Sequence, residues 1–237
     1  MANVGFGTLY IVGTPIGNLG DITARAVQVL SEVAVIYAED TRVTRVLLKH
    51  FDIPKKLLSF HTNNEHAQLQ EALRQIEAHE QVALVSDAGT PGISDPGFLL
   101  VRACIEQGIE VECLPGPTAF VPALVASGLP ADRFFFEGFL PHKKGRQSRL
   151  EYLANLEHTV VLYESPYRLV KTLQQVAQFM GGERRISVAK EISKMYEMHF
   201  RGSVQEALNY FTSHAVKGEF VLIIGKEVNS HEPTDNS

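Results

Sequence analysis

The chain has 237 residues, of which 45% are hydrophobic, and its formal net charge at pH 7 is −5. This composition is enough for a packed core, and the negative charge argues against a protein that binds nucleic acid over its whole surface. No apolar run approaches the roughly 20 residues of a membrane span. The start lacks the features of a signal peptide, and the two cysteines suggest neither a disulfide framework nor a zinc site. We therefore expect a cytoplasmic protein with no membrane contact and no metal.

Short apolar runs alternate with helical patterns over the first half of the chain. The predicted strands cover residues 8–12, 33–38, 57–60, 82–85 and 109–114. Helical spacing of apolar residues follows a possible cap at Asp21 and recurs after Asn64. This alternation predicts βαβ units and a largely parallel sheet, whose strand carboxyl ends lie along one edge.

The densest turn signal between two periodic regions is Pro115-Gly116-Pro117, where we place a domain boundary. Beyond it we predict helices over 119–126 and 203–212, and strands over 134–136, 160–163, 186–189 and 220–224. Ser203 and Glu206 have the spacing of a capping box. Several of these strands are close enough in sequence for antiparallel pairing, which predicts a mixed sheet. The predicted domains are therefore 1–117 and 118–228, followed by a polar, disordered tail over 229–237.

The segment SDAGTPGISDPG, residues 86–97, lies between the end of a predicted strand and the start of a predicted helix. Its three glycines can adopt positive φ and let the backbone approach a ligand closely. Asp95 and Pro96 have the character of an N-cap and a first helical residue. Because α/β proteins bind small ligands at strand carboxyl ends, the segment is a candidate ligand loop. The alternative is a rigid turn without a ligand.

Polar loops follow other predicted strands as well: GTPIGN (13–18), AEDTR (38–42), YESPYR (163–168) and AKEISK (189–194). Each could be a turn, a helix cap or a surface ion pair, but their repetition at strand ends favours a shared cleft. None is a dinucleotide fingerprint or a P-loop, because the required glycine spacing is missing. The basic stretch 142–149 either contacts phosphates or is a solvated loop.

In their order along the chain, GTPIGN, AEDTR, SDAGTPGISDPG, PGPTA, YESPYR and AKEISK resemble motifs of the tetrapyrrole methylase superfamily. These are the class III S-adenosylmethionine (SAM) methyltransferases, and the resemblance is strongest to members that act on small-subunit ribosomal RNA. It covers residues 8–226. It implies an α/β fold of two domains, with a parallel N-terminal sheet, a mixed C-terminal sheet and SAM in the cleft between them. It further implies a homodimer that methylates the ribose 2′-hydroxyl of a cytidine in the decoding centre of 16S rRNA, within the small ribosomal subunit.

The resemblance also implies cofactor contacts, carried over position by position. The residues are Gly13, Pro15, Ile16, Gly89, Thr90, Pro91, Ile93, Thr118, Ala119, Tyr163, Ala189 and Phe220. Thr90 stands where relatives usually carry an acid, which is a departure from the pattern.

A methyl group on a sulfonium is already electrophilic, so the protein has mainly to orient the ribose hydroxyl and help remove its proton. The candidate residues for this step are Glu39, Asp40, Lys190 and Glu191. A lysine could accept the proton only if its pKa were lowered by burial or by neighbouring charges. The candidate RNA contacts are Arg42, Lys143, Lys144, Arg146 and Arg149. Two alternatives stay open: a methyltransferase of the same fold acting on a tetrapyrrole or a protein, and a non-catalytic SAM-binding protein.

Overall fold

Two units, Met1–Thr118 and Ala119–Ser237, make up the chain in the computed structural model, which describes residues 7–78 and 80–226. The boundary predicted after residue 117 lies one residue before this division. The tail predicted over 229–237 lies outside the described residues. No helix in the described ranges is long and apolar enough to cross a membrane.

Unit 1 contains five parallel strands in the order β3-β2-β4-β1-β5. Its elements are β1 (Thr8–Ile11), α1 (Ala24–Glu32), β2 (Val35–Ala38), α2 (Thr41–His50), β3 (Lys56–Ser59), α3 (Glu65–Glu77), β4 (Val82–Val85), α4 (Phe98–Glu106) and β5 (Glu110–Cys113). The predicted parallel sheet is therefore confirmed, with strand ends that differ from the predicted ones by at most two residues.

Two helix starts predicted from the sequence are wrong. Asp21 lies in a short 3-10 turn, and α1 is instead capped by Thr23, whose Oγ1 accepts a hydrogen bond from the Ala26 amide at 3.0 Å. Helix α4 begins at Phe98, after Gly97 with a φ of 139°, rather than at Pro96. The carboxylate of Asp95 is consequently not used as a cap and interacts with Ser86 in the loop after β4.

Strands β1 and β4 are neighbours whose onward connections lead to opposite faces of the sheet. From β1 the chain passes through α1 to β2, beyond β4, and from β4 it passes through α4 to β5, beyond β1. Helices α1 and α2 cover one face with Ala26, Leu30 and Leu48, whereas α3 and α4 cover the other. The carboxyl ends of β1 and β4 thus form a topological switch point, where open α/β sheets bind ligands.

Unit 2 contains a five-stranded sheet in the order β6-β7-β10-β8-β9. Its elements are α5 (Phe120–Val125), β6 (Phe134–Phe139), α6 (Arg146–Ala154), β7 (Thr159–Glu164), α7 (Leu169–Met180), β8 (Arg185–Lys190), β9 (Met198–Ser203), α8 (Val204–Ser213) and β10 (Phe220–Ile224). Only β6 and β7 pair in parallel, so the predicted mixed sheet is confirmed. The capping box at Ser203 and Glu206 is confirmed too, whereas β9 was not predicted.

Strands β6, β7 and β8 run in the same direction, so their carboxyl ends share one edge of the sheet with the start of β10. The register fixes this arrangement, because Phe220 at the start of β10 pairs with Glu164 at the end of β7 and with Lys190 at the end of β8. We call this border the carboxyl edge of unit 2. Helices α6, α7 and α8 cover one face of the sheet with the main hydrophobic core.

Candidate functional site

The two glycine loops at the switch point of unit 1 are joined by their backbones. The Thr14 amide donates to the Gly89 carbonyl and the Gly89 amide donates to the Thr14 carbonyl, both at 2.9 Å. Thr14 Oγ1 also donates to the Ser86 carbonyl at 3.0 Å. Loops 13–18 and 86–97 therefore form one fixed structure above β1 and β4.

A third loop, which follows β5, packs directly against the other two. Thr90 Oγ1 donates to the Pro117 carbonyl at 3.1 Å. A Cβ added to Gly13 would lie 3.3 Å from Thr90 Oγ1 and 3.4 Å from the Gly116 Cα, so the three loops pack closely around Gly13. Thr90 thus links the loops after β4 and β5.

These loops have the features that a cofactor such as SAM requires in a binding site. Gly89 and Gly92 have φ values of 86° and 84°, and a Cβ on Gly92 would meet no atom within 4 Å. Thr118 Oγ1 is buried and has no hydrogen-bond partner in the part of the chain that the structure describes. The exposed backbone at Gly92 and the unpartnered hydroxyl suit the amino, carboxylate and hydroxyl groups of SAM. The predicted contacts Pro15, Ile16, Pro91 and Ile93 lie in the same loops.

The cofactor contacts predicted in unit 2 divide between the two faces of its sheet. Tyr163 and Ala189 both pair with Val221 and share the face opposite the helical core. Tyr163 packs against Phe136 with ring centroids 5.2 Å apart. The Phe220 side chain lies on the other face, buried in the core and 5.8 Å from the Phe211 ring centroid. Ala119 immediately precedes α5.

Three carboxylates gather at the carboxyl ends of β2 and β4. The Asp87 amide donates to Glu39 Oε2 at 3.5 Å, and Asp87 Oδ1 accepts from the Asp40 amide at 3.0 Å. Burial, then the charge of Asp87, raises the pKa of Glu39. Burial, then the charge of Glu39, raises the pKa of Asp95 to about 6, and burial likewise raises the pKa of Asp87. Glu39, Asp87 and Asp95 are the acid cluster of unit 1.

Asp87 and Asp95 were not among the candidate catalytic residues. Both lie in the loop singled out as a ligand loop, and their acidity was the signal available in the sequence. Among the described residues no group of three or more His, Cys, Asp or Glu side chains is placed to hold a metal ion.

Asp40 has a different role from Glu39, although the two are adjacent. Its side chain accepts hydrogen bonds from the Arg42 amide and guanidinium, and it caps α2. The Arg42 guanidinium lowers the pKa of Asp40 to about 2. Such a carboxylate is a weak proton acceptor, and Arg42 extends into solvent while engaged with it. This placement favours a structural role for both residues.

Glu191 and Lys190, the candidates in unit 2, lie at its carboxyl edge. Glu191 Oε1 accepts from the Glu219 amide at 2.9 Å and from Lys194 Nζ at 3.0 Å. Burial alone would raise the pKa of Glu191, but these hydrogen bonds outweigh it and the pKa is lowered. Glu191 is thus held as a structural carboxylate, while Lys190 ends β8 beside it.

The structure separates the predicted RNA contacts into internal and exposed groups. The Arg146 guanidinium is buried and donates to Thr172 Oγ1 at 2.7 Å, to Gln175 Oε1 at 2.7 Å and to the Pro141 carbonyl at 3.1 Å. Arg149 is bound through two nitrogens to Glu137. Lys143 and Lys144 are exposed and form no ion pair within the described ranges. Of the five predicted RNA contacts, Lys143 and Lys144 are the two that carry an exposed charge without an ion pair in the described part of the chain.

The fold and the loops at the switch point agree with a comparison against protein families. A family model described as Tetrapyrrole (Corrin/Porphyrin) Methylases matches residues 8–208, so the chain belongs to this family. It is therefore a SAM-dependent methyltransferase.

The names of similar curated proteins describe a more specific activity than the family model does. Each of three relatives is named Ribosomal RNA small subunit methyltransferase I. The relative from Synechocystis sp. is 51% identical over 96% of this chain and 82% of its own length. The relative from Thermotoga maritima is 46% identical over 93% of this chain and 100% of its own length. The relative from Escherichia coli O157:H7 is 47% identical over 92% of this chain and 77% of its own length.

Solved structures at lower identity share the fold. A diphthine synthase superimposes with a TM-score of 0.72 at 12% identity, covering 94% of this chain and 92% of that one. A uroporphyrin-III C-methyltransferase from Thermus thermophilus, complexed with S-adenosylhomocysteine, superimposes with a TM-score of 0.63 at 23% identity. The match covers 92% of this chain and 97% of that one.

Proposed function

We propose that the chain transfers a methyl group from SAM to the ribose 2′-hydroxyl of a cytidine in the decoding centre of 16S rRNA. The observation that carries this proposal is the set of relatives that are 44–51% identical over most of the chain and are named for small-subunit rRNA methylation. The identity of the nucleotide and of the accepting atom is inferred from the resemblance of the sequence motifs to this group of methyltransferases. The exposed pair Lys143 and Lys144 supports an anionic substrate.

The three joined loops of unit 1 are the proposed SAM site. SAM supplies the electrophilic methyl group of its sulfonium. Around it, backbone amides and carbonyls near Gly92 bind and orient the amino and carboxylate groups, and Thr118 Oγ1 gains the partner that it lacks among the described residues. Because the loops are fixed to one another before binding, little conformational entropy is lost when the cofactor is seated.

The acid cluster of unit 1 is the proposed acceptor of the ribose proton. A general base works best when its pKa lies near the pH of the reaction. Asp95, with a pKa of about 6, and Glu39, with a raised pKa, meet this condition better than Asp40 or Glu191, whose pKa values are lowered. We therefore place proton removal on Glu39 and Asp95.

We further propose that the protein acts as a homodimer in the cytoplasm. The resemblance supports the dimer, and a substrate in the small ribosomal subunit supports the location. Light scattering coupled to size-exclusion chromatography should give about twice the chain mass of 26.2 kDa. A monomer at working concentration would contradict the proposed dimer and leave the proposed reaction standing.

The decisive experiment offers methyl-labelled SAM with naked 16S rRNA, assembled small subunits, a tetrapyrrole and unrelated protein. We expect label in the rRNA or the subunits, recovered after nuclease digestion as 2′-O-methylcytidine. Label that enters only the tetrapyrrole or the protein would refute the proposed substrate. SAM binding without transfer to any acceptor would support a non-catalytic protein instead.

A further inference from the structure

Two tyrosines project into solvent from the carboxyl edge of unit 2. The relative exposure is 96% for Tyr167, after β7, and 72% for Tyr196, between β8 and β9. Neither side chain makes a hydrogen bond or a ring contact within the described ranges. Aromatic rings this exposed contribute nothing to the core, and exposed large apolar groups often mark an interaction site.

The backbone that carries Tyr167 is fixed on both sides. Arg168 Nη2 donates to the Leu140 carbonyl at 2.6 Å, and its Nε lies 3.3 Å from Glu164 Oε1. Glu164 Oε1 also accepts from the Ser165 amide at 2.8 Å. Tyr167 is therefore held outward by a rigid turn, so its exposure is a built feature of the loop.

The loop that carries Lys143 and Lys144 is tied to the same network. Arg146 donates to the Pro141 carbonyl at the start of this loop and to Thr172 Oγ1, which in turn donates to Glu164 Oε2 at 2.6 Å. The loops after β6 and β7 are thus joined through the buried Glu164. Arg146 is a positioning residue, which presents the two lysines without itself reaching a ligand.

The turn that carries Tyr196 is braced by its own residues. Lys194 Nζ contacts Glu191 Oε1 at 3.0 Å and Glu219 Oε2 at 2.9 Å, and the Ser193 amide donates to Glu197 Oε2 at 2.7 Å. Lys194 thus pairs with both Glu191 and Glu219 and offsets part of their negative charge. Tyr196 is left exposed at the tip of the turn.

The strand order sets the spacing of these groups along the edge. Adjacent strands lie roughly 5 Å apart, so the β6 loop with its lysines is one spacing from the β7 loop. Only β10 separates β7 from β8, which places the strands that lead to Tyr167 and Tyr196 roughly 10 Å apart. Lys143, Lys144, Tyr167 and Tyr196 thus belong to loops that all leave this one edge, and we call them the edge platform.

We propose that the edge platform binds a single-stranded segment of RNA, with bases stacked on Tyr167 and Tyr196 and phosphates held by Lys143 and Lys144. Cations without ion pairs beside open aromatic rings suit an unpaired polynucleotide, because a duplex hides the faces of its bases. This inference rests on the proposed function and adds to it the form in which the RNA is bound.

The first test measures binding of a 12-nucleotide single-stranded RNA by fluorescence anisotropy, with the same RNA annealed to its complement as a comparison. Tyr167→Ala should weaken binding of the single strand about 5- to 100-fold, whereas Tyr167→Phe, which keeps the ring, should bind within about twofold of the wild type. Equal affinity of the alanine variant and the wild type, or a preference for the duplex, would overturn the inference.

A second test observes the stacking directly. Because the chain contains no tryptophan, Tyr167→Trp creates a single fluorescent reporter at the platform. Its emission should be quenched as the single strand is added, while Tyr152→Trp, on α6, should remain unchanged. Quenching at both positions, or at neither, would contradict stacking on the platform.

The lysines are tested through the salt dependence of binding. The double variant Lys143→Ala/Lys144→Ala should reduce the slope of log affinity against log salt by about 1.4, since each phosphate contact to a single strand contributes about 0.7. Lys49→Ala/Lys56→Ala removes the same charge from exposed positions of unit 1 and should leave the slope unchanged. Equal slopes for both double variants would overturn the assignment of the lysines.

Methylation assays separate this inference from the proposed function. If the wild type methylates rRNA and Tyr167→Ala does so with unchanged KM, the function stands and the platform is wrong. If the wild type methylates no RNA, the proposed function fails, and oligonucleotide binding alone decides about the platform. If Tyr167→Ala dissociates a dimer while its monomer keeps wild-type RNA affinity, the tyrosine is a subunit contact and the inference fails.

Discussion

Replacing Asp95 by asparagine should stabilise the folded protein at neutral pH. Burial, with the charge of Glu39, raises the pKa of this carboxyl from 3.8 to about 6. A shift of about two units corresponds to an upper limit of about 3 kcal/mol, because each unit is worth about 1.4 kcal/mol. Since the side chain is partly exposed and solvent screens its charge, we expect a gain of about 1–2 kcal/mol in the free energy of unfolding.

The gain should depend on pH in a defined direction. Between pH 3.8 and about 6 the folded state binds more protons than the unfolded state, so the contribution of Asp95 to stability falls as pH rises. Asparagine has no such dependence. The variant should therefore be more stable than the wild type above about pH 6, and its advantage should vanish below about pH 4.

Urea unfolding followed by circular dichroism at pH 4, 5, 6 and 7.5 measures this difference. Asp132→Asn, at an exposed position, is the matched control and should change stability by less than about 0.5 kcal/mol at every pH. An Asp95→Asn variant without a gain at pH 7.5, or with the same gain at pH 4, would refute the argument. Methyl transfer by the variant should fall, because the proposed proton acceptor is lost while the fold is strengthened.

Three further predictions concern single residues of the two units, one in a loop of unit 1 and two in unit 2. Gly89→Val should weaken SAM binding about tenfold or more in titration calorimetry, because a β-branched residue at a φ of 86° costs about 1–3 kcal/mol and shifts the loop that Gly89 joins to Thr14; unchanged affinity with an intact fold would remove the loop from the site. Arg146→Ala should lower the free energy of unfolding by about 3 kcal/mol, since it removes a buried cation close to Glu164, and an unchanged melting temperature would contradict this role. Ser203→Ala should cost about 1 kcal/mol in chemical denaturation through loss of the capping box with Glu206, and a neutral result would show that the cap is not needed.

Strand alternation and loop composition predicted the parallel sheet, the mixed sheet and the glycine loops, because these signals are local in the sequence. Strand β9 was not predicted because it is an edge strand in which three of the six residues are half buried and which includes the polar residues His199 and Arg201. The cap of α1 was misplaced by two residues because Asp21 and Thr23 are both suitable N-caps. Such choices depend on where the preceding loop enters the helix, which composition does not specify.

The charged residues show why a motif does not determine a site. Arg146 belongs to a basic run in the sequence, yet Arg146, Leu150 and Leu153 lie on one face of α6 and are all buried. The helical spacing of Arg146 with Leu150 and Leu153 therefore indicated that Arg146 is buried, whereas the number of charges in the run suggested an exposed position. Burial, and after it the charge of Glu39, which is 56 positions earlier in the chain, raises the pKa of Asp95, so no local pattern could have indicated this shift.

One fold can serve substrates as different as those in the names of its relatives, because function depends on the groups placed on the fold. Structures that share the fold at 12–23% identity are titled for uroporphyrin-III and for diphthine, so the arrangement of strands does not select the acceptor. In this chain the switch-point loops offer mainly backbone groups, whose chemistry is the same in any sequence. The carboxyl edge of unit 2 instead presents Lys143, Lys144, Tyr167 and Tyr196, whose chemistry lies entirely in their side chains. Because these side chains lie in loops, they can be exchanged without disturbing the strands beneath them, and this edge is where we expect specificity for RNA to reside.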